Sequence, residues 1–211
     1  MEKITGLILF GESVVAGRGA KDRKFSFGRI LKSKLPFPVL IKGKSFITSQ
    51  DALSRLEKEV LSKDKIYSHV LVLIGNNDGR LIGFNKPKFT VPEFKKNMKE
   101  LIERIQSNGR IVILCNLQPL GDDDIHRIHP HMPKFLAAPF TPYKWHTQYS
   151  IACNEIAAFC GIHFIDIRTR LEEEKNKGNK VIADYCLDPN ELGHRIMAEK
   201  IIEDFKNLII S

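Results

Sequence analysis

Two hydrophobic periods alternate along this chain. Short, mainly apolar runs recur at Ile4–Phe10 (ITGLILF), Pro38–Lys42 (PVLIK), His69–Ile74 (HVLVLI), Arg110–Leu117 (RIVILCNL) and Ile162–Ile167 (IHFIDI). Each has strand length, and most are bounded by turn residues, so each predicts a buried strand. Between them the apolar residues fall at helical spacing. Phe27–Leu35 ends before Pro36. Ser49–Leu61 carries Leu53, Leu56, Val60 and Leu61, with Ser49 as the expected N-cap. Pro92–Ser107 carries Phe94, Met98, Leu101, Ile102 and Ile105, and stops at Asn108-Gly109. Tyr143–Cys160 predicts a further helix and Arg168–Lys177 a short charged one. Glu191–Ile209 closes the chain with Ile196, Met197, Ile201, Ile202 and Phe205 on one face.

Strand and helix thus alternate five times, and the strands are continuous apolar runs. That pattern predicts one α/β domain over residues 1–211, with a parallel sheet covered by helices on both faces. One interval breaks the rhythm. Gln118 to about Pro142 holds five prolines and three histidines and predicts a long loop of the kind that carries function.

Composition narrows the classes. The 211 residues are 43% apolar and 27% charged, which excludes disordered and fibrous chains. No apolar run approaches the ~18–20 residues of a membrane span. Met1–Phe10 lacks a small-residue cleavage site, so it predicts a first strand and a cytoplasmic protein. Cys115, Cys153, Cys160 and Cys186 form no C-x-x-C pair and are expected as thiols in a reducing compartment. Charge is uneven. The first fifty residues hold ten Lys or Arg against three acids, and between Arg18 and Lys44 the only acid is Asp22. This is either a solvated basic face or a field that draws an anionic substrate. Phe25, Phe27 and Phe37 interleave with it, but the stretch matches no nucleic-acid module, so no nucleic-acid partner is expected.

In open parallel sheets, sites form beyond the carboxyl ends of the strands. The first run leads into Gly11-Glu12-Ser13-Val14-Val15-Ala16-Gly17. The second leads into Gly43-Lys44-Ser45-Phe46, and the third into Gly75-Asn76-Asn77-Asp78-Gly79. The fourth leads into the Pro/His-rich loop, and the fifth runs on to Asp184 and Asp188. A serine on a Gly-flanked strand end is placed for nucleophilic attack, and an asparagine on the neighbouring rim can donate to an oxyanion. Gly, Asn and Ser also make ordinary turns. No P-loop, G-x-G-x-x-G or G-x-S-x-G motif is present.

With these segments in order, the chain resembles the SGNH/GDSL hydrolases almost end to end. LILFGESVVAGRG resembles that family's first block, LVLIGNNDGR its third, and VILCNLQP, YSIACNEIAAFCGIHFIDI and LDPNELGHRIMAEKI its later segments. The resemblance implies a flavodoxin-like three-layer α/β/α sandwich with a five-stranded parallel sheet. It also implies esterase, lipase or carbohydrate-deacetylase chemistry without a cofactor. It makes Ser13 the nucleophile, with Glu12 where Asp is usual, and Asn77 an oxyanion donor framed by Gly75 and Asp78. Two positions depart from the pattern. Phe46 stands where the second block has a Gly whose N–H serves the oxyanion. Asp188 stands where the fifth block has the catalytic His, and Tyr185 where it has the acid, with Asp184 one place away.

A serine hydroxyl needs a base, and an ordinary carboxylate, with a pKa near ~3.9, is a weaker one than imidazole. His194 or the Asp122–His131 loop, through His126, His129 or His131, would have to supply one, or Ser13 is not a nucleophile. The same loop residues are metal-ligand types, but their spacing is not that of a structural zinc site, and no metal is expected. His69 and His163 are expected as strand histidines. Trp145 would either line an acyl or sugar surface or pin the loop. Glu172–Glu174 beside Lys175 and Lys177 reads as a solvated helix face.

The leading expectation is an ester hydrolase or deacylase acting on a small-molecule or glycan ester, with an anionic substrate favoured by the basic rim. The alternatives are a catalytically impaired ligand- or partner-binding protein of the same fold, and an acyltransferase that uses the same serine.

Overall fold

The protein is described from a computed structural model, which defines residues 3–121, 141–185 and 187–210. Five parallel strands form the central sheet in the order β2-β1-β3-β6-β7: β1 Leu7–Gly11, β2 Val39–Gly43, β3 His69–Leu73, β6 Ile111–Cys115 and β7 His163–Ile165. Every residue of β1 and β3 is buried, as continuous apolar runs in the middle of a covered sheet require. The helices are α1 Phe27–Lys34, α2 Ser49–Leu56, α3 Val91–Ser107, α4 Pro142–Cys160, α5 Ile167–Asn176 and α6 Glu191–Ile210. Helix α6 packs against α1 and α5, and α3 packs against α2 and α4, giving the two outer layers. Among the described residues no helix is long and apolar enough to cross a membrane.

The expected elements form, with shifted ends. Ser49 is not the cap of α2. Thr48 is, through a capping box with Asp51, which frees the Ser49 hydroxyl for Asp78. Thr90 and Glu93 form the same box on α3. A π-turn at Glu57–Leu61 extends α2. The sequence reading did not contain the hairpin of β4 Leu81–Gly83 and β5 Lys86–Pro87, which turns at Asn85 with φ +49°. Of the long loop, residues 122–140 lie outside the described ones, and Gln118–Gly121 are described.

Register positions the site. Gly11 pairs with Gly43 on one side and with Leu73 on the other, so the turns after β1, β2 and β3 leave the sheet at one level. Lys44 N–H donates to Gly11 O at 3.1 Å and Glu12 N–H to Leu73 O at 3.3 Å, tying the three exits together.

Candidate active site

Ser13 opens the turn after β1. Ala16 N–H closes on Glu12 O and Arg18 N–H on Ser13 O, both at 3.0 Å, so the serine sits on a tight helical turn at a strand end. Its hydroxyl oxygen accepts from Phe46 N–H at 3.3 Å. Phe46 has φ +64°, left-handed backbone that a phenylalanine rarely adopts. The turn, set by the backbone after β2, is thus the conformation that favours Gly, and Phe46 holds it. The side chain is not crowded there. The ring is 60% exposed and lies under the Arg18 guanidinium, 4.6 Å from its centroid.

Glu12 is fully buried and is the hub of the neighbouring loop. Its Oε1 accepts from Gly75 N–H (3.0 Å), Asn76 N–H (2.8 Å) and the Asn76 side-chain amide (2.7 Å). Its Oε2 accepts from Asn77 N–H at 3.2 Å and from the Asn77 side-chain amide. Burial pushes the carboxyl up to about 8, against the pull of these donors toward the ionised form. Asn77, the oxyanion candidate, thus spends one amide hydrogen on Glu12, and its amide carries a second. Gly75 has φ +144°, and a Cβ there would meet Leu117 and Phe94 atoms at 3.1 Å. Asp78 turns away from the serine. Its buried carboxyl accepts from Ser49 N–H and Oγ–H, with Asn97 donating to Ser49 Oγ at 2.9 Å, and burial raises it to about 6. Asp78 therefore joins the loop after β3 to α2.

Asp188 is buried, and Arg18 Nε lies 3.2 Å from its Oδ2. Burial raises the Asp188 carboxyl, while Arg18 and the Tyr185 hydroxyl hold it toward the ionised form. Tyr185 therefore lies beside Asp188, where the resemblance has an acid beside a histidine. The Arg18 guanidinium also lies 5.6 Å from the Tyr185 ring. Gly19 lets the two segments meet: its φ is +98°, and a Cβ would come within 2.0 Å of Pro189 O. Asp184 is exposed and pairs with Lys180.

The histidines divide. Both ring nitrogens of His194 are committed, Nδ1 accepting from Phe27 N–H (3.3 Å) and Nε2 donating to Arg18 O (2.9 Å), and the ring stacks on Phe27. Burial lowers it to about 4, so it is a neutral structural group that does not serve as the base for Ser13. His69 is buried at the start of β3, the end of the sheet opposite the site, with Nδ1 2.8 Å from Ser68 Oγ. His163 opens β7. His126, His129 and His131, with Asp122–Asp124, lie outside the described residues, as does Cys186. Among the described residues no histidine hydrogen-bonds Ser13 Oγ, and no group of three His, Cys, Asp or Glu could hold a metal.

Sequence reasoning missed His146. Its Nε2 donates to Asn76 Oδ1 at 2.7 Å, and its Nδ1 lies 3.3 Å from Arg168 Nη1, which fixes the neutral tautomer. Burial lowers it to about 3. Gln118 Nε2 also donates to Asn76 Oδ1 (3.1 Å) and reaches Leu187 O at 2.9 Å. Arg168 continues the chain to Glu172 at 2.7 Å, so Glu172 is a network member rather than part of a purely solvated face. The one sequence signal was position: His146 lies on the first turns of the helix that leaves the Pro/His-rich loop. Trp145, beside it, pins that helix by donating its indole N–H to Gly79 O at 2.8 Å.

Residues 9–196 match the model of the GDSL-like lipase/acylhydrolase family. The chain belongs to that family. The SGNH-type fold is shared with a lipolytic G-D-S-L protein of Veillonella parvula, with a TM-score of 0.74, 21% identity and coverage of 95% of this chain and 98% of the other. A variant of Axe2, an acetyl-xylooligosaccharide esterase of Geobacillus, gives a TM-score of 0.72 at 19% identity, over 94% and 93% of the two chains. A curated relative, the uncharacterized lipoprotein YqeF of Bacillus subtilis, is 23% identical over 76% of this chain and 69% of its own length.

Proposed function

We propose that this chain is a serine ester hydrolase or deacylase that removes a small acyl group from a carbohydrate or other small-molecule ester. The observation that carries the reading is the meeting of Ser13 Oγ with Phe46 N–H across a left-handed turn. It puts a backbone donor beside the hydroxyl that would attack the ester carbonyl. Family membership and the likeness to acetyl xylan esterases support the acyl-ester class. In this reading Ser13 adds to the carbonyl, and the oxyanion accepts from Phe46 N–H and the second amide hydrogen of Asn77. The serine proton passes to Asp188, whose burial makes it a stronger base than an exposed carboxylate, and from there to the leaving alkoxide. Water then releases the acyl group from Ser13. A carboxylate in place of imidazole predicts turnover well below that of an imidazole-based triad.

The test is hydrolysis of a 4-nitrophenyl acetate series and of acetylated xylo-oligosaccharides by wild type, Ser13→Ala and Asp188→Asn. The reading requires turnover that both variants lose. Turnover unchanged in Ser13→Ala would remove it.

A second reading, a binding protein of this fold, is favoured by the Arg18–Asp188 ion pair, which neutralises the group standing where the base would be. It predicts ligand binding without turnover, unaffected by Ser13→Ala.

A further inference from the structure

The hairpin that leaves the site loop is apolar at its tip and cationic at its flanks. Phe89 N–H donates to Asp78 O at 3.0 Å and Lys88 N–H to Arg80 O at 2.9 Å, so the hairpin is anchored directly after Asn77-Asp78. Its base is held by the Trp145 indole on Gly79 O. From this support Phe84 projects with 67% of its surface exposed and Ile82 with 51%. A fixed hairpin that spends one residue of β4 and one turn residue on exposed large apolar side chains leaves their surface unburied, which folding alone does not favour. Along the hairpin itself the charge has one sign, and an acid close to its flank, Asp51 of α2, feels Lys88 and Lys44 together. Arg80, Lys86 and Lys88 flank the tip, and no acid occurs between Asp78 and Glu93.

We propose that the β4–β5 hairpin docks this protein peripherally on an anionic lipid surface. Ile82 and Phe84 enter the headgroup–acyl boundary, while Arg80, Lys86 and Lys88 engage the negative surface. Apolar burial and electrostatic attraction act together there, and each cation near such a surface contributes on the order of fivefold in binding. A flank that is net cationic is complementary to an anionic bilayer; an apolar tip alone would fit a protein groove equally well. Docking here brings the rim that carries Asn77 to the membrane. The proposal does not depend on Ser13 chemistry.

The test is co-sedimentation with phosphatidylcholine vesicles, with and without phosphatidylglycerol. Wild type, Ser13→Ala, Ile82→Ser/Phe84→Ser, Lys86→Gln/Lys88→Gln and a control, Lys58→Gln/Lys63→Gln, are compared. Wild type, Ser13→Ala and the control bind the phosphatidylglycerol vesicles and leave plain phosphatidylcholine largely unbound. The tip variant loses about tenfold or more, and the flank variant loses a similar factor that added salt reproduces in wild type. Both pairs are on the surface, so the variants keep the wild-type melting temperature. Absence of wild-type binding would overturn the proposal. So would equal binding by the tip variant, or self-association of wild type that the tip substitutions abolish.

Discussion

Arg18 Nε stands 3.2 Å from Asp188 Oδ2, so the position that the family resemblance gives to a histidine carries half of an ion pair. The guanidinium is held over Phe46 and beside Tyr185, and the carboxylate is nearly out of water. Removing Arg18 leaves a buried carboxylate without its cation. Arg18→Met is expected to cost about 1–2 kcal/mol, below the figure for a fully buried pair because Arg18 is partly in solvent. Urea unfolding checks this. Because Arg18 lowers the Asp188 pKa, its loss raises it, and the acid limb of any Asp188-dependent rate moves to higher pH. An unmoved acid limb would separate Asp188 from the base role.

Phe46 holds a left-handed backbone at about 1–2 kcal/mol of cost. Phe46→Ala keeps that cost and loses the ring's contact with Arg18. Phe46→Gly removes the strain, though it loosens the unfolded chain. The expected order of stability is Phe46→Gly above Phe46→Ala by about 1 kcal/mol. Both keep the N–H that faces Ser13, so both keep the serine's reactivity. Thermal melts and initial rates check the two halves separately.

Glu12 accepts five N–H groups from Gly75, Asn76 and Asn77, and Gln presents an amide NH₂ to one side of that set. Above about pH 8, where the Glu12 carboxyl is ionised, Glu12→Gln is expected to lose about 2–3 kcal/mol of stability through facing donors. It is also expected to lower the reactivity of Ser13 by displacing Asn77. A variant as stable and as reactive as wild type would show that the loop does not need the carboxylate.

Much of this was legible in the chain. The five strands could be read because a covered parallel sheet demands unbroken apolar runs, and the helices because their apolar positions keep one face. The turns that carry Ser13, Glu12, Asn77 and Phe46 could be read as the exits of adjacent strands, while the choice of these residues within the turns came with the family resemblance. His146 could not, since a helix residue joined to Asn76 across seventy positions leaves no local pattern. Arg18 was visible only as one of ten early cations. Its pairing with Asp188 rests on Gly19 letting Pro189 approach, which no spacing rule encodes. The hairpin escaped because three- and two-residue strands are too short for any periodicity.

His146 and His194 are neutral in the fold, with pKa values near 3 and 4, and charge in the unfolded chain below about 6.5. The unfolded state then binds more protons. Stability from these two groups is present above pH 6.5 and is lost as pH falls toward the folded values, by up to about 1.4 kcal/mol per pH unit for each. His146→Gln removes one of the two contributions, so its stability falls less steeply between pH 6.5 and 4.5 than that of wild type. Parallel slopes for the two proteins would contradict a neutral buried His146.

The most direct measurement is intact-mass labelling by a fluorophosphonate on folded wild type and Ser13→Ala. An activated serine gives one adduct on wild type, mapped to Ser13, and none on Ser13→Ala. No adduct on folded wild type, or the same adduct on Ser13→Ala, would contradict a nucleophilic Ser13 and leave the binding-protein reading.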